Sequence, residues 1–383
     1  MIAAPKLLYV FPGFGGGGAQ LRMVSIMNAL GDSFSHRIIA LDGNLGAAAA
    51  LSPDIDATVE GPPTPKAGAL AFRSLVNSLL PAAVLTYNWG AIEATIGARM
   101  AGVCPVIHNE CGFGPEEATT LKRRRVWTRR LVLNSIFQTV VTSANMLRIA
   151  GKEFRLPPHK ARLIQTGVDA SRYRPCRNPA LRRAWGVADR EILFGYLGGL
   201  RPEKNLELLL RAFHEAALPE AKLALAGVGS GRVELERLAA ELDLGDRVIF
   251  AGHQSDAPAY LAALDIFTMS SITEQVSNAQ LEAMAAGLPV ICTDVGDSRE
   301  LLGGAADGCV VASRHQTAYA AALRRLAVNS ERRAESGAAN RRRAVEYYSR
   351  DRMVREYAEL LQSAASHRLK PVPPSCPTQL HEM

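Results

Sequence analysis

Short apolar runs alternate with longer amphipathic stretches along most of the chain. The first series of strand-like runs covers 6–11, 36–41, 82–86, 104–107 and 138–142. Helical stretches, such as 19–30 and 90–101, separate these runs. A second series, again separated by helical stretches, covers 192–197, 222–226, 247–250, 265–269 and 289–292. Strands that alternate with helices are typical of βαβ units and parallel sheets. The sequence therefore predicts an α/β protein with two doubly wound, Rossmann-like domains.

The two series are separated near 167–190, where periodicity lapses and glycine, proline and asparagine cluster. This break predicts a first domain over 1–168, a linker over 169–190 and a second domain over 191–345. A C-terminal helix is expected over 346–366. The last stretch, 367–383, is rich in proline and is predicted to be a disordered tail.

The composition is that of a globular protein, with 48% hydrophobic and 21% charged residues. The six cysteines form no CxxC pair and no zinc-binding spacing, which fits a reducing compartment. No apolar run reaches the roughly 18 residues of a membrane span. The N-terminal apolar stretch is too short for a signal peptide. We therefore expect a cytoplasmic protein.

The net charge of +7 is concentrated in one cluster of the first domain, which surrounds Trp127. Its members are Lys122, Arg123, Arg124, Arg125, Arg129 and Arg130. One interpretation is a solvated helix face. The other is a patch that contacts an acidic acceptor or the anionic lipids of the inner membrane face. Nucleic acid is not an expected partner, since no basic stripe or aromatic-basic module appears elsewhere.

A glycine-rich loop follows the first predicted strand and precedes a helix. Gly13, Gly15 and Gly18 satisfy the GxGxxG pattern, and Asp42 closes the next strand. This arrangement matches the fingerprint of a dinucleotide-binding site, which would make the protein an NAD-dependent oxidoreductase. The same backbone N–H groups could hold another phosphate ligand, or the segment could be a surface turn.

A second turn between strand and helix carries two cations. Arg201 and Lys204 lie after the predicted strand 192–197, at the edge where parallel sheets bind ligands. Together they could hold a diphosphate, the arginine as a fork and the lysine as a point charge. The alternative is a solvated turn.

The segment 274–290 carries two glutamates around a predicted helix start. Ser277 and Gln280 form a capping box, which predicts a helix that begins at about Asn278. Glu274 then lies in the preceding loop, and Glu282 lies just past the first turn. Free N–H groups at the helix start could bind a phosphate, while both carboxylates accept hydroxyl hydrogen bonds. Chance surface charges are the alternative, although the apolar neighbours of Glu282 predict a buried helix.

With these motifs the chain resembles the glycosyltransferases of the GT-B fold, in glycosyltransferase family 4. The family's two glutamates, separated by seven residues, correspond to Glu274 and Glu282. Its Leu-Glu-Ala-Met-Ala-x-Gly-x-Pro-Val sequence is reproduced at 281–290. Residues 166–169 and 173–175 resemble its interdomain signature, and 17–20 resemble its first glycine loop. The resemblance covers about residues 1–365.

The resemblance implies a role for each matching residue. Glu282 would bind the ribose hydroxyls of a nucleotide, and Glu274 the hydroxyls of the donor sugar. Lys204 and an arginine would neutralise the diphosphate, and His108 would lie near the transferred sugar unless it is a core histidine. Backbone groups facing the sugar and diphosphate would come from Gly17, Gly18, Val276, Ser277 and Asn278.

The chain departs from the family pattern at three places. The usual arginine before the lysine is Gly199, so Arg201 would substitute for it. The glutamate that usually follows the glycine loop is Gln20. The usual Gly-Phe-Gly after the first glutamate is 275–277, Gln-Val-Ser, which would alter the preference for the donor sugar.

The resemblance implies a retaining transferase that uses a nucleoside-diphosphate sugar, without a metal ion or other cofactor. Its acceptor would be a glycan or a lipid-linked glycan in surface polysaccharide synthesis. The C-terminal helix would pack back on the first domain. Two alternatives remain: the NAD-dependent oxidoreductase, which leaves both glutamates unexplained, and a sugar-nucleotide-binding protein without catalysis.

Overall fold

The computed structural model describes residues 4–64, 67–113, 115–117 and 120–367. It contains two parallel sheets with helices on both faces, which confirms the predicted fold class. None of the described helices is both long and apolar enough to span a membrane. The predicted tail lies outside the described residues, except for His367.

The first sheet has seven parallel strands in the order β3-β2-β1-β4-β5-β6-β7. Its strands are β1 (Lys6–Phe11), β2 (Ser35–Ala40), β3 (Ala57–Glu60), β4 (Ala83–Tyr87), β5 (Val106–Glu110), β6 (Gln138–Val141) and β7 (Ala161–Leu163). Alternate residues of β1 pack into two apolar clusters, one on each face of the sheet. Burial on both faces explains why the central strands are continuous apolar runs in the sequence.

The second sheet has six strands in the order β10-β9-β8-β11-β12-β13, again parallel. Its strands are β8 (Ile192–Leu197), β9 (Ala221–Ala226), β10 (Val248–Gly252), β11 (Ile266–Met269), β12 (Val290–Thr293) and β13 (Val310–Val311). In each sheet the strand order reverses beside the first strand, between β1 and β4 or between β8 and β11. Ligands of doubly wound sheets bind at the carboxyl ends of the strands at such a point.

Helices cover the faces of both sheets. Those before the second sheet are α1 (Gly18–Leu30), α2 (Ala69–Leu79), α3 (Ile92–Ala101), α4 (Arg123–Ser135), α5 (Ala144–Lys152) and α6 (Pro179–Ala184). Those that follow are α7 (Leu206–Ala216), α8 (Arg232–Glu241), α9 (Ala257–Leu261), α10 (Asn278–Ala285), α11 (Ser298–Leu302), α12 (Gln316–Val328), α13 (Ser330–Tyr347) and α14 (Arg350–Ser366).

The chain returns to the first domain after the second one is complete. Helix α14 contributes Met353, Tyr357 and Leu361 to an apolar cluster of the first sheet. The two connections between the domains run side by side, and Val168 forms an isolated parallel bridge with Ser349. A Cβ atom on Gly167 would lie 2.6 Å from the carbonyl oxygen of Ser349, so glycine permits this close approach.

The structure differs from the expected strands in two respects. Strands β3, β7 and β13 lie at sheet edges and were not predicted, because short, partly exposed edge strands lack a continuous apolar run. Strand β5 continues three residues beyond the predicted end at 107. Its last residues are polar yet fully buried, and each has a hydrogen-bond partner inside the domain; Tyr357, for example, donates to Asn109 over 2.9 Å.

Candidate active site

In each sheet, loops lie at the point where the strand order reverses. The loops of the two sheets face each other across a cavity of about 680 Å³. The first domain contributes the glycine loop after β1, including Gly17 and Gly18. The second contributes the turn after β8 and the segment after β11. The predicted site residues that the structure brings together here are Gly17, Gly18, Arg201, Lys204, Glu274, Val276, Ser277, Asn278 and Glu282.

Lys204 and Glu274 form an ion pair in the wall of this cavity. Their side chains are only 17% and 15% exposed, so the pair is shielded from bulk water. Ser271 donates a hydrogen bond to the same carboxylate over 3.1 Å, and Ser270 donates to the Lys204 carbonyl over 2.9 Å. These contacts fix a cation and an anion at the carboxyl ends of the central strands of the second sheet.

The N-terminus of α10 lies beside this pair. Ser277 caps the helix by accepting from the Gln280 N–H over 3.3 Å. The predicted capping box is only half formed, because the buried Gln280 side chain donates to the Ser298 carbonyl instead. Asn278 donates to the Gly18 carbonyl over 3.3 Å and so joins the two domains. The free N–H groups at this helix start offer a site for an anion.

Glu282 lies where this cavity meets a second one, of about 650 Å³. Burial raises the pKa of Glu282 to about 7, although a hydrogen bond with Tyr173 works against this rise. Tyr173 lies in the predicted linker and also lines the second cavity. A carboxylate that is poorly hydrated and has few partners is suited to accept hydroxyl hydrogen bonds from a ligand.

Arg201 lies at the rim of the cavity rather than at its floor. Its side chain is 59% exposed, and its Nε lies 3.1 Å from a Glu203 carboxylate oxygen. Reaching a ligand would require this arginine to exchange its exposed ion pair, which solvent makes weak. Lys204 is therefore the better fixed of the two cations.

His108 is the one predicted site residue that the structure does not bring to the cavity. Because β5 continues to Glu110, His108 lies within the strand and not after it. Its imidazole is fully buried, with Nδ1 2.9 Å from the Thr86 hydroxyl and Nε2 3.7 Å from a Glu110 carboxylate oxygen. In this structure His108 belongs to the polar core of the first domain.

A second set of contacts joins the domains beside the cavity. The Asp297 carboxylate accepts hydrogen bonds from the backbone N–H groups of Ala144 and Asn145, over 2.6 and 2.8 Å. The Gln275 side chain accepts from Ser143 and Asn145, over 3.3 and 3.2 Å. The second domain thus caps helix α5 of the first through Asp297, and Gln275, which follows Glu274, adds two side-chain contacts.

The basic cluster is less exposed than the sequence suggested. Arg129 is buried, and its Nε donates to Glu110 over 2.8 Å. Lys122 and Arg125 pair with Glu116, and Arg130 donates to the Glu153 carbonyl over 2.7 Å. The surface that remains on α4 consists of Arg123, Arg124, Trp127 and Leu131, which we call the α4 surface.

The glycine loop does not favour the oxidoreductase alternative. A Cβ atom on Gly13 would lie 2.2 Å from a carboxylate oxygen of Asp42. Asp42 also accepts from the Asn44 N–H over 2.8 Å. The acidic group that would bind a dinucleotide ribose therefore packs against the loop itself.

Several residues of the cavity wall were not predicted as site residues from the sequence. Arg22, Cys111 and Thr166 all line it, and Arg22 and Thr166 also line the second cavity. Arg22 lies one helical turn after the glycine loop, a spacing that could have indicated it. Among the described residues, no group of three or more His, Cys, Asp or Glu side chains could hold a metal ion.

Two Rossmann-like domains that face a common cleft, with a cation and two glutamates in the second, have the arrangement of the GT-B fold. The fold is similar to that of Anabaena Alr3699/HepE in complex with UDP, with a TM-score of 0.80 and 19% identity; the match covers 94% of this chain and 100% of the other. Residues 178–343 match the family Glycosyl transferases group 1. The chain is a glycosyltransferase, and its second domain is similar to that family.

Two relatives of known activity resemble more than half of the chain. The D-inositol 3-phosphate glycosyltransferase of Stackebrandtia nassauensis is 26% identical over 364 residues, covering 82% of this chain and 80% of the relative. The UDP-Gal:alpha-D-GlcNAc-diphosphoundecaprenol alpha-1,3-galactosyltransferase of Escherichia coli is 26% identical over 232 residues, covering 57% and 59%.

Proposed function

We propose that the protein transfers a sugar from a nucleoside-diphosphate sugar, of the UDP-sugar type, to a glycan or lipid-linked acceptor. The observation that carries this proposal is the shielded Lys204–Glu274 pair beside the start of α10, with Glu282 in the same cavity. A cation, a helix N-terminus and two hydroxyl acceptors match the groups of such a donor. The Anabaena structure, which contains UDP, and the Escherichia coli relative, named for UDP-Gal, support the choice of nucleotide.

The donor would lie along the two joined cavities. Glu282 would accept hydrogen bonds from the ribose hydroxyls, and the nucleoside would extend into the second cavity. The diphosphate would lie against Lys204 and the N–H groups of Val276, Ser277 and Asn278. Glu274 would accept from hydroxyls of the sugar, at the end of the cavity nearest the first domain.

The reaction breaks the bond between the anomeric carbon and the diphosphate oxygen. A bond from the acceptor hydroxyl forms at the same face of the sugar, so the anomeric configuration is retained. The acceptor proton passes to the departing phosphate oxygen. Negative charge grows on the diphosphate in the transition state, where Lys204, the α10 N-terminus and Arg201 would stabilise it. These positive groups support a reaction that needs no metal ion.

The acceptor would enter through the first domain. A cavity of about 510 Å³ adjoins the donor cavity through Ala19 and Cys111, and Trp89 and Phe113 line it. Aromatic faces suit the apolar faces of sugar rings. The name of the Escherichia coli relative specifies a lipid diphosphate acceptor, which supports a lipid-linked acceptor in surface polysaccharide synthesis.

The α4 surface suits contact with the inner face of an anionic membrane. Trp127 is 60% exposed and Leu131 is 71% exposed, one helical turn apart. Arg123 and Arg124 lie one turn before them. Apolar side chains beside arginines can enter the headgroup region of a membrane while the charges meet lipid phosphates.

The test is sugar transfer from radiolabelled UDP-glucose or UDP-galactose to a membrane lipid extract. We expect labelled lipid product from the wild type and at least tenfold less from Glu274→Gln, while Glu207→Gln, an exposed change on α7, serves as control. Binding of UDP without turnover of any sugar nucleotide would favour the non-catalytic alternative. Thermal stabilisation by NAD but not by UDP would refute the proposal.

A further inference from the structure

Arg22 is a buried cation that has no counter-charge among the described residues. Its residue is 8% exposed, and the guanidinium donates to the Thr166 hydroxyl over 3.1 Å and to the Cys111 sulfur over 2.9 Å. The Nε atom is buried and has no hydrogen-bond partner in the described part of the chain. Neither of its partners is a carboxylate.

In the described part of the chain, the other buried arginines are neutralised. Arg129 pairs with Glu110 and Glu117, and Arg182 pairs with Asp265 over 2.8 Å. Burial of an unpaired charge costs several kcal/mol, so a fold normally supplies a carboxylate for it. At Arg22 the fold supplies a hydroxyl and a thiol but no carboxylate, so the charge is left to be balanced by an anion from outside the protein.

The position of Arg22 indicates which anion that is. Its side chain lies in the wall shared by the two donor cavities, together with Thr166, Asn278 and Glu282. Any ligand that extends from the second cavity towards Lys204 must pass this wall. Arginine is also the side chain best suited to hold two phosphate oxygens at once.

We propose that Arg22 binds a phosphate group in the cleft, as a cation contributed by the first domain opposite Lys204. The inference rests on the proposed function, since it presumes a phosphate-bearing substrate. The phosphate belongs either to the donor diphosphate or to an anionic acceptor. In both cases Arg22 lets the first domain take part in binding a ligand held mainly by the second.

The experiment compares Arg22→Gln and Arg22→Lys with the wild type, and uses Arg73→Gln, an exposed change on α2, as a control for net charge. Calorimetry measures the affinity for UDP, for uridine, and for inorganic phosphate added to the UDP-saturated protein. We expect Arg22→Gln to weaken UDP binding at least tenfold and uridine binding less than twofold, with Arg22→Lys intermediate.

A second outcome assigns the phosphate to the acceptor. UDP affinity then stays unchanged, while inorganic phosphate binds the wild type with UDP present and no longer binds Arg22→Gln. Unchanged affinities for both probes overturn the inference, and the proposed function survives if Glu282→Ala still weakens UDP binding. A wild type that binds neither probe overturns both.

The wild type itself provides a readout that does not depend on how the variants fold. The Nε–H resonance of Arg22, assigned by its loss in Arg22→Lys, should shift when UDP or inorganic phosphate is added. A resonance that stays in place at saturation with both probes refutes phosphate binding.

Discussion

Replacing Glu282 with glutamine should make the free protein more stable and the nucleotide complex weaker. Burial raises the pKa of Glu282 from 4.5 to about 7, so the folded state holds its proton more tightly than the unfolded chain. The free energy of unfolding therefore falls as the pH rises from about 4.5 to about 7. Above that range the folded protein carries a charge that its surroundings disfavour.

The size of this effect follows from the pKa. At about 1.4 kcal/mol per pKa unit, the rise corresponds to about 3 kcal/mol. Because Glu282 keeps some contact with solvent, we expect about 1–3 kcal/mol in practice. Glutamine has the same shape and no charge. At pH 8 the unfolding temperature of Glu282→Gln should therefore be a few degrees higher than that of the wild type. The conversion is about 2–4 °C per kcal/mol for a domain of this size. The difference should vanish near pH 4.5.

Thermal unfolding of both proteins across this pH range is the measurement, with Glu234→Gln, an exposed change on α8, as control. Affinity for UDP-glucose is measured in parallel. The charge-assisted bonds to the ribose are each worth about 1.5–3 kcal/mol, so Glu282→Gln should bind more weakly. As the pH is lowered from 7, the affinity of the wild type should fall more than that of the variant. His253 lines the same cavity, but both proteins contain it, so the comparison removes any contribution that it makes. Equal stability at pH 8, or equal affinity, would refute the assignment.

The remaining predictions concern turnover, domain contact and the membrane. Lys204→Gln should lower kcat about 100-fold and change the donor KM less than about threefold, because the charge that it stabilises develops in the transition state; wild-type kcat in initial-rate assays would contradict this. Asp297→Ala, which removes two hydrogen bonds between the domains, should raise donor hydrolysis relative to transfer and increase the radius of gyration in X-ray scattering. If neither the hydrolysis nor the radius of gyration changes, other contacts hold the domains together. Trp127→Ser with Leu131→Ser should reduce cosedimentation with anionic liposomes at low salt, whereas Val233→Ser, which is equally exposed on the second domain, should not; wild type that ignores anionic liposomes would rule out docking.

The sequence predicted the fold because its central strands are buried on both faces. Strands such as β1 and β9 are apolar almost throughout, and helices of ordinary length separate them. The end of β5 could not be found in this way, since a buried His-Asn-Glu run has the composition of a loop. Partners from distant elements make it a strand: Thr86 for His108, Tyr357 for Asn109 and Arg129 for Glu110.

The candidate site was predictable where its residues are close in sequence. Glu274, Ser277 and Glu282 lie within one loop and one helix, so their spacing alone predicts a common site. Arg22 was not predictable as an unpaired cation, because the absence of a carboxylate near it depends on residues throughout the first domain. Arg129 is the reverse case: it looked like surface charge until the fold buried it against Glu110.

Helix α14 also has a consequence for how the protein is made. Protein synthesis proceeds from the N-terminus, yet the first sheet packs against Met353, Tyr357 and Leu361 from near the end of the described chain. The second domain, which is complete by α13, can finish folding on the ribosome before the first domain has all of its core. Until α14 emerges, apolar residues of β4 and α1 that it will cover remain open to chaperones. The domain that is translated first is therefore the last to be finished.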